Sequence, residues 1–196
     1  MDPLLTHSKA DRRAKTRAMV LALPAAERAR QAAALTSRIL ASPEWSAARR
    51  LLLFVPLADE IDLSALLPAS LAEGKTVGLP AFDTNSGTYV IREIRNPTGD
   101  LVPGRFHIPE PSAACPLMTV AELDYLVVPG LAFDARGGRL GRGEGFYDRL
   151  LARATGLLCG VGFDEQFGAA VPVESHDLTM HRILTATKSH DCRLQL

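Results

Sequence analysis

The chain has 196 residues, 47% hydrophobic and 22% charged, a make-up that describes one ordinary globular domain spanning 1–196 and excludes a disordered or fibrous chain. Lysine plus arginine equals aspartate plus glutamate at 22 each, so the formal charge is zero and the basic excess of a sequence-independent nucleic-acid binder is missing. The three cysteines, Cys115, Cys159 and Cys192, are odd in number and lack zinc-ligand spacing, which favours a reduced, cytoplasmic protein over a disulfide framework.

Residues 8–23 read as a helix with Ser8 as N-cap. The apolar run AMVLALPAA resembles the core of a leader peptide, but acidic residues precede it and helical periodicity continues beyond Pro24, so it is read as structure. Nothing approaches the roughly 18 consecutive apolar residues of a membrane span, and neither membrane nor nucleic acid is an expected partner. A second helix follows Pro24 through ERARQAAALTSRILAS. RRLLLFVPL then reads as a buried strand, DLSALLPASLAEG as a short helix ending at Gly74, and KTVGLPAF and TYVIREI as strands joined by the turn DTNSG. Residues 96–116 are rich in proline and glycine and are expected to lack regular structure. LDYLVVPGLAF is another buried strand, residues 145–154 a helix, and LLCGVGF and RILTAT the last strands. Strands alternating with helices predict an α/β fold: a mainly parallel sheet flanked by helices in a Rossmann-like, three-layer arrangement with N-terminal helices.

Between the LDYLVVPG strand and the helix lies GRLGRGEGFYD, residues 138–148. Glycines at 141, 143 and 145 allow backbone N–H groups to approach an anion, Arg139 and Arg142 offer bidentate charge, and Asp148 is placed to hold a magnesium ion on the phosphates. The alternative is a surface loop with solvated arginines. The lysine of a Walker loop is absent. A dinucleotide site using Gly141 and Asp164 has the wrong glycine spacing, which leaves it a weaker reading.

VPGLAFDARGGRLGRGEGFYDR resembles the signature of the 5-formyltetrahydrofolate cyclo-ligase family. Lys9-x-x-x-Arg13, FVPLADEID, GKTVGLP, GRFHIPEP, GVGFDEQ and VESHD resemble further family segments in the same order, so the similarity covers nearly the whole chain. The resemblance implies an ATP- and magnesium-dependent enzyme that cyclises 5-formyltetrahydrofolate to 5,10-methenyltetrahydrofolate and releases ADP and phosphate. In the implied mechanism the γ-phosphoryl group activates the formyl oxygen, and the second nitrogen of the folate then closes the ring. Such a transfer asks the protein mainly for positioning and charge stabilisation.

The resemblance assigns ATP to Lys9, Arg13 and the loop Arg139, Leu140, Gly141, Arg142, Gly143, Glu144, Gly145, Phe146 and Tyr147. It assigns folate to Val55, Glu60, Arg142, Gly143, Glu144, Gly145 and Phe146, metal to Asp148, and catalysis to Arg142 and Tyr147. Arg17 shares the helix face of Lys9 and Arg13 with weaker support, and Phe54, Phe106 and Tyr147 are candidates for stacking on a ring. Replacing Arg142 or Asp148 is expected to cut turnover at little cost in stability. Two positions depart from the pattern. His107 stands where the family has glycine, and reading HDLTMHRILT against the family puts His181 at the place of a second metal-binding acid, a role imidazole fills poorly for magnesium. Asp177 is the alternative carboxylate, and a transition-metal set of His176, Asp177 and His181 is a lesser possibility. These departures sustain a second reading, a relative that binds nucleotide or folate without turnover.

Overall fold

The computed structural model describes residues 9–105, 108–174 and 177–195. In chain order the helices are α1 (Lys9–Ala22), α2 (Ala25–Leu40), α3 (Pro43–Ala47), α4 (Leu66–Ala72) and α5 (Phe146–Leu150). The strands are β1 (Arg50–Leu52), β2 (Thr76–Asp83), β3 (Thr88–Ile94), β4 (Leu101–Pro103), β5 (Pro109–Pro111), β6 (Leu117–Met118) and β7 (Tyr125–Pro129). They continue with β8 (Ala132–Asp134), β9 (Arg139–Leu140), β10 (Leu157–Val161), β11 (Phe167–Gly168), β12 (Arg182–Leu184) and β13 (Ser189–Asp191).

Eight strands form the main sheet in the order β13-β12-β10-β7-β1-β2-β3-β6. The five from β12 to β2 are parallel, whereas β13 at one edge and β3 and β6 at the other pair antiparallel. The expected mainly parallel sheet is therefore a parallel centre with antiparallel margins. The β2–β3 margin follows from DTNSG: Gly87 takes a φ of 67° and Asp83 caps the turn by accepting from Asn85, Ser86 N–H and the Ser86 hydroxyl.

Alternation along the central strands builds two cores. Leu51, Tyr125 and Val127 join a cluster with Leu35 and Ile39 of α2, Trp45 of α3 and Leu66 of α4. Their neighbours Leu52, Leu126 and Val128 join the opposite cluster, with Phe133 of β8, Leu150 of α5 and Leu151 just beyond it. Every residue of β7 is buried, which is why LDYLVVPG reads as a continuous apolar run rather than an alternating one. The layers are helices α1–α4, the main sheet, then α5 with the small sheet β11-β8-β9.

Chain order fixes where a ligand fits. From β1 the chain crosses by α4 to β2 on one side, and from β7 it passes to β10 on the other. The crossovers diverge between β1 and β7, and the carboxyl ends of those strands open the crevice that doubly wound sheets use for ligands.

Two local expectations are revised, and one segment without an assignment gains one. Residues 96–116 contain a two-stranded antiparallel ribbon, β4 with β5, despite prolines at 103, 109 and 111; such a ribbon is all edge, where the missing N–H of proline is tolerated. The helix expected over 145–154 stops at Leu150. PEWSA, left unassigned by the sequence pattern, forms its own helix α3, capped by Ser42 through the Trp45 N–H at 3.2 Å. Ser8, Phe106, His107 and His176 lie outside the described residues. All three cysteines are free and buried. Among the described residues no helix is long and apolar enough to cross a membrane.

Candidate active site

Beyond Pro129 the chain turns through Gly130, runs up β8 and returns on β9, which brings Arg139 and Leu140 back beside the carboxyl end of β7. The glycine-rich loop then crosses the crevice to α5. Gly143 has a φ of 105° and Gly145 a φ of 58°, values that a side chain would strain. At Gly143 a Cβ would come into ordinary contact, 3.4 Å, with the Arg13 guanidinium, so the backbone angle rather than space calls for glycine. Among the described residues, the backbone N–H groups from Gly143 to Tyr147 find no backbone acceptor, so the loop presents unpaired donors. Helix α5 is only five residues long, so the cations around the loop, rather than a long helix dipole, supply most of its attraction for anions.

Those cations converge from two distant segments, α1 and the glycine-rich loop. Lys9 and Arg13 on α1 line a cavity of about 240 Å³ together with Glu60, Pro129, Gly130, residues 139–148, Glu174 and Asp177. Arg13 is fixed by donating from Nε to the Gly141 carbonyl at 2.9 Å. Lys9 donates to Glu174 at 2.8 Å and to Asp177 at 3.0 Å. Arg139 is nearly enclosed, with 4% of its side chain exposed; it donates to Asp148 Oδ1 at 3.1 Å and lies over the Tyr147 ring. Lys9 and Arg139 thus sit beside carboxylates and Arg13 beside a carbonyl, so an incoming polyanion would exchange partners with contacts already made.

Arg142 spans the crevice. Its Nε donates to Glu60 Oε1 at 3.1 Å and its Nη2 donates to Asp59, which also accepts from Arg17 Nε at 3.0 Å. Glu60 Oε2 takes the Leu57 N–H at 3.0 Å. Burial opposes the charged form of Asp59, yet the hydrogen bond and charge of Arg142, helped by Arg17, hold its carboxyl below the ordinary value. Burial also pushes the Tyr147 phenol up, and the Glu60 charge adds to this, so the hydroxyl stays protonated at neutral pH.

A second cavity of about 580 Å³ adjoins the first and is mostly apolar. Phe54, Val55, Phe82, Tyr89, Ile108 and Leu150 contribute to its wall. Glu60, Arg142, Glu144, Phe146 and Tyr147 line both cavities. The sites implied for Val55, Glu60 and the loop therefore fall together in the crevice. Gly143 and Gly145 line only the smaller cavity, and Arg17 lines neither, acting instead on Asp59.

Two expected readings change. His181 lines neither cavity: its Nδ1 accepts the Leu158 N–H at 3.1 Å at the head of β10, and burial, then Arg193, lowers its pKa and keeps it neutral for that role. Asp177 does line the smaller cavity, so it is the better-placed carboxylate. Asp164, the acid of the dinucleotide reading, is occupied in capping a turn with the Thr185 hydroxyl and the Thr187 N–H, and it faces neither cavity. Sequence reasoning missed Asp59 and the Phe82–Tyr89 wall. The first was masked by its neighbour Glu60; the second comes from the far side of a hairpin with no local signal.

Fold and site define the class of protein: a doubly wound α/β chain with an arginine-rich cavity and an aromatic one meeting at its switch point. The model of the 5-formyltetrahydrofolate cyclo-ligase family matches residues 5–186, and the chain belongs to that family, whose members are folate-acting ligases. A 5-formyltetrahydrofolate cyclo-ligase of Escherichia coli is 31% identical over 156 residues, covering 78% of this chain and 86% of its own. One of Mus musculus is 28% identical over 183 residues, covering 88% and 90%. The 5,10-methenyltetrahydrofolate synthetase of Aquifex aeolicus superposes with a TM-score of 0.86 at 31% identity over 94% of this chain and 93% of that one. A synthetase of that name from Mycoplasma pneumoniae shares the fold, with a TM-score of 0.73 at 15% identity over 92% and 99%.

Proposed function

We propose that the protein uses ATP, with magnesium, to cyclise 5-formyltetrahydrofolate to 5,10-methenyltetrahydrofolate, releasing ADP and phosphate. The observation that carries this reading is the shared wall: Arg142, Glu144 and Phe146, expected to touch both phosphate and folate, line both cavities, and Glu60 and Tyr147 join them there. Triphosphate matches the cation-lined cavity with its unpaired loop N–H groups, and the larger apolar cavity matches a flat, mostly aromatic substrate.

The roles follow from the contacts. Lys9, Arg13 and Arg139 neutralise phosphate oxygens. Glu60 accepts hydrogen bonds from a pterin amino group and ring N–H, and taking that ligand loosens its bond to Arg142. Arg142, still held by Asp59, is then aimed between the two substrates, where charge accumulates as the phosphoryl group passes to the formyl oxygen. Tyr147, kept neutral, donates its proton in a hydrogen bond at the same junction.

Magnesium fits the acidic side of the smaller cavity. Both bonds to Asp148, from Arg139 and from the Leu178 N–H at 3.2 Å, go to Oδ1, and Oδ2 takes none among the described residues. Asp148 and Asp177 are the residues that would hold the ion, which needs only one or two carboxylates besides phosphate and would neutralise phosphate charge there. His181→Asp is expected to leave the magnesium titration of activity unchanged while lowering stability through loss of the Leu158 bond. A tightened titration would show that position 181 faces the metal after all.

The deciding assay mixes purified protein with 5-formyltetrahydrofolate and MgATP and follows the methenyl chromophore together with ADP. One ADP per chromophore is the expected result. Absence of chromophore under conditions that preserve the product would overturn the proposal.

A further inference from the structure

The aromatic wall of the larger cavity has a direction. Tyr147, at the junction beside Glu60 and Arg139, packs edge-on against Phe146 with ring centroids 4.6 Å apart. Phe146 meets Tyr89 at 4.3 Å and Tyr89 meets Phe82 at 5.2 Å, again edge-on. At the far end of this row the Arg105 guanidinium lies 4.3 Å from the Phe82 ring centroid. Arg105 is exposed and lines the same cavity. One end of the row thus carries Glu60, an acceptor-only group, and the other carries a cation.

Glu110 also lines this end, and its charge would oppose an anionic ligand. Both its oxygens, however, accept backbone N–H groups, Oε2 from Phe82 at 2.8 Å and Oε1 from Arg105 at 3.2 Å. The carboxylate is thereby turned to bracing Arg105 and the Phe82 strand. Arg149 of α5 supplies a second positive charge to the cavity lining.

We propose that Arg105 is a specificity residue that receives the carboxylate end of the folate, the part of the substrate furthest from the reacting formyl group. The inference rests on the folate reading above. A folate has a hydrogen-bonding ring system at one end, an aromatic linker in the middle and glutamate carboxylates at the other, the same polarity as the cavity from Glu60 to Arg105. Stacking on Phe82 holds the guanidinium plane, and a planar fork matches a carboxylate in two parallel hydrogen bonds.

The test is calorimetric binding of two ligands without ATP: 5-formyltetrahydrofolate and the same molecule lacking its glutamate, 5-formyltetrahydropteroate. Wild type is expected to bind the intact ligand about tenfold more tightly, the usual scale of a charge-assisted pair. Arg105→Ala should abolish that gap while leaving affinity for the truncated ligand unchanged, and Arg105→Lys should restore part of it. In turnover the same loss should appear in KM rather than kcat. If wild type binds both ligands equally, or if Arg105→Ala keeps the gap, Arg105 does not read the carboxylate, although the folate reading stands. If wild type binds neither ligand, the folate reading falls and this inference falls with it.

Discussion

Arg142→Ala is expected to lower kcat by two to three orders of magnitude, on the order of what removal of one donor aimed at developing transition-state charge costs. Arg142 is the cation that reaches both cavities, and its Nε and Nη2 are oriented by two carboxylates, Glu60 and Asp59. Arg142→Lys keeps charge but loses the fork, so it should recover only a small part of the rate. The variant is also expected to lose stability, contrary to what the sequence alone implied. Asp59, with 8% of its side chain exposed, would be left with Arg17 as its remaining charged partner. We expect a cost of about 1–2 kcal/mol, from leaving a half-compensated buried acceptor.

That cost has a defined pH dependence. The folded-state pKa of Asp59 is depressed, so its pairing contributes stability above the ordinary carboxylate pKa and loses it as pH falls through the folded value. The stability gap between wild type and Arg142→Ala should therefore be widest at neutral pH and shrink below about pH 4. Denaturant unfolding at several pH values measures it. An equal gap at all pH values would mean that Arg142 stabilises by packing, not through Asp59.

Asp148→Asn carries the second large effect, and it too joins function to stability. Arg139 is almost fully enclosed and its Nε has no hydrogen-bond partner among the described residues, so the guanidinium depends on Asp148, the Pro129 carbonyl and the Tyr147 ring. Asparagine preserves shape and an acceptor but removes the compensating charge. Unbalancing a buried pair in this way costs about 2–4 kcal/mol, which in a chain of this size lowers Tm by on the order of 10 °C. Activity should fall by at least tenfold with a weakened response to magnesium, because the carboxylate proposed to hold the ion is gone. Adding Arg139→Met to Asp148→Asn should recover part of the lost Tm but none of the activity. An unchanged Tm in the single variant would show that Arg139 does not depend on the Asp148 charge.

Much of the fold was legible because its strands announce themselves. RRLLLFV and LDYLVVPG are apolar runs of strand length beside glycine or proline, and parallel strands buried on both faces have that signature. The site was legible to the extent that it is local: residues 139–148 are contiguous, and their glycines, arginines and aspartate keep the spacing they need in space. What was hidden is relational. Nothing around Phe82 or Tyr89 marks them as a ligand wall; only the β2–β3 hairpin, folded across the crevice, sets Tyr89 against Phe146. Asp59 looked like one acid in a run of three, and only the approach of Arg17 and Arg142 from distant segments distinguishes it. His181 shows the opposite error, since position in a motif suggested a metal ligand and the β10 backbone claims the ring.

The Lys9–Asp177 bond joins residues 168 positions apart in the chain. Because Lys9 of α1 meets Glu174 and Asp177, the smaller cavity is incomplete in any nascent chain that stops short of Asp177. Its wall is complete only once Asp177 has been made, so the cavity closes late. Bond formation across so long a loop also contributes to high contact order and slow folding, which places closure of this cavity among the last steps of folding rather than the first.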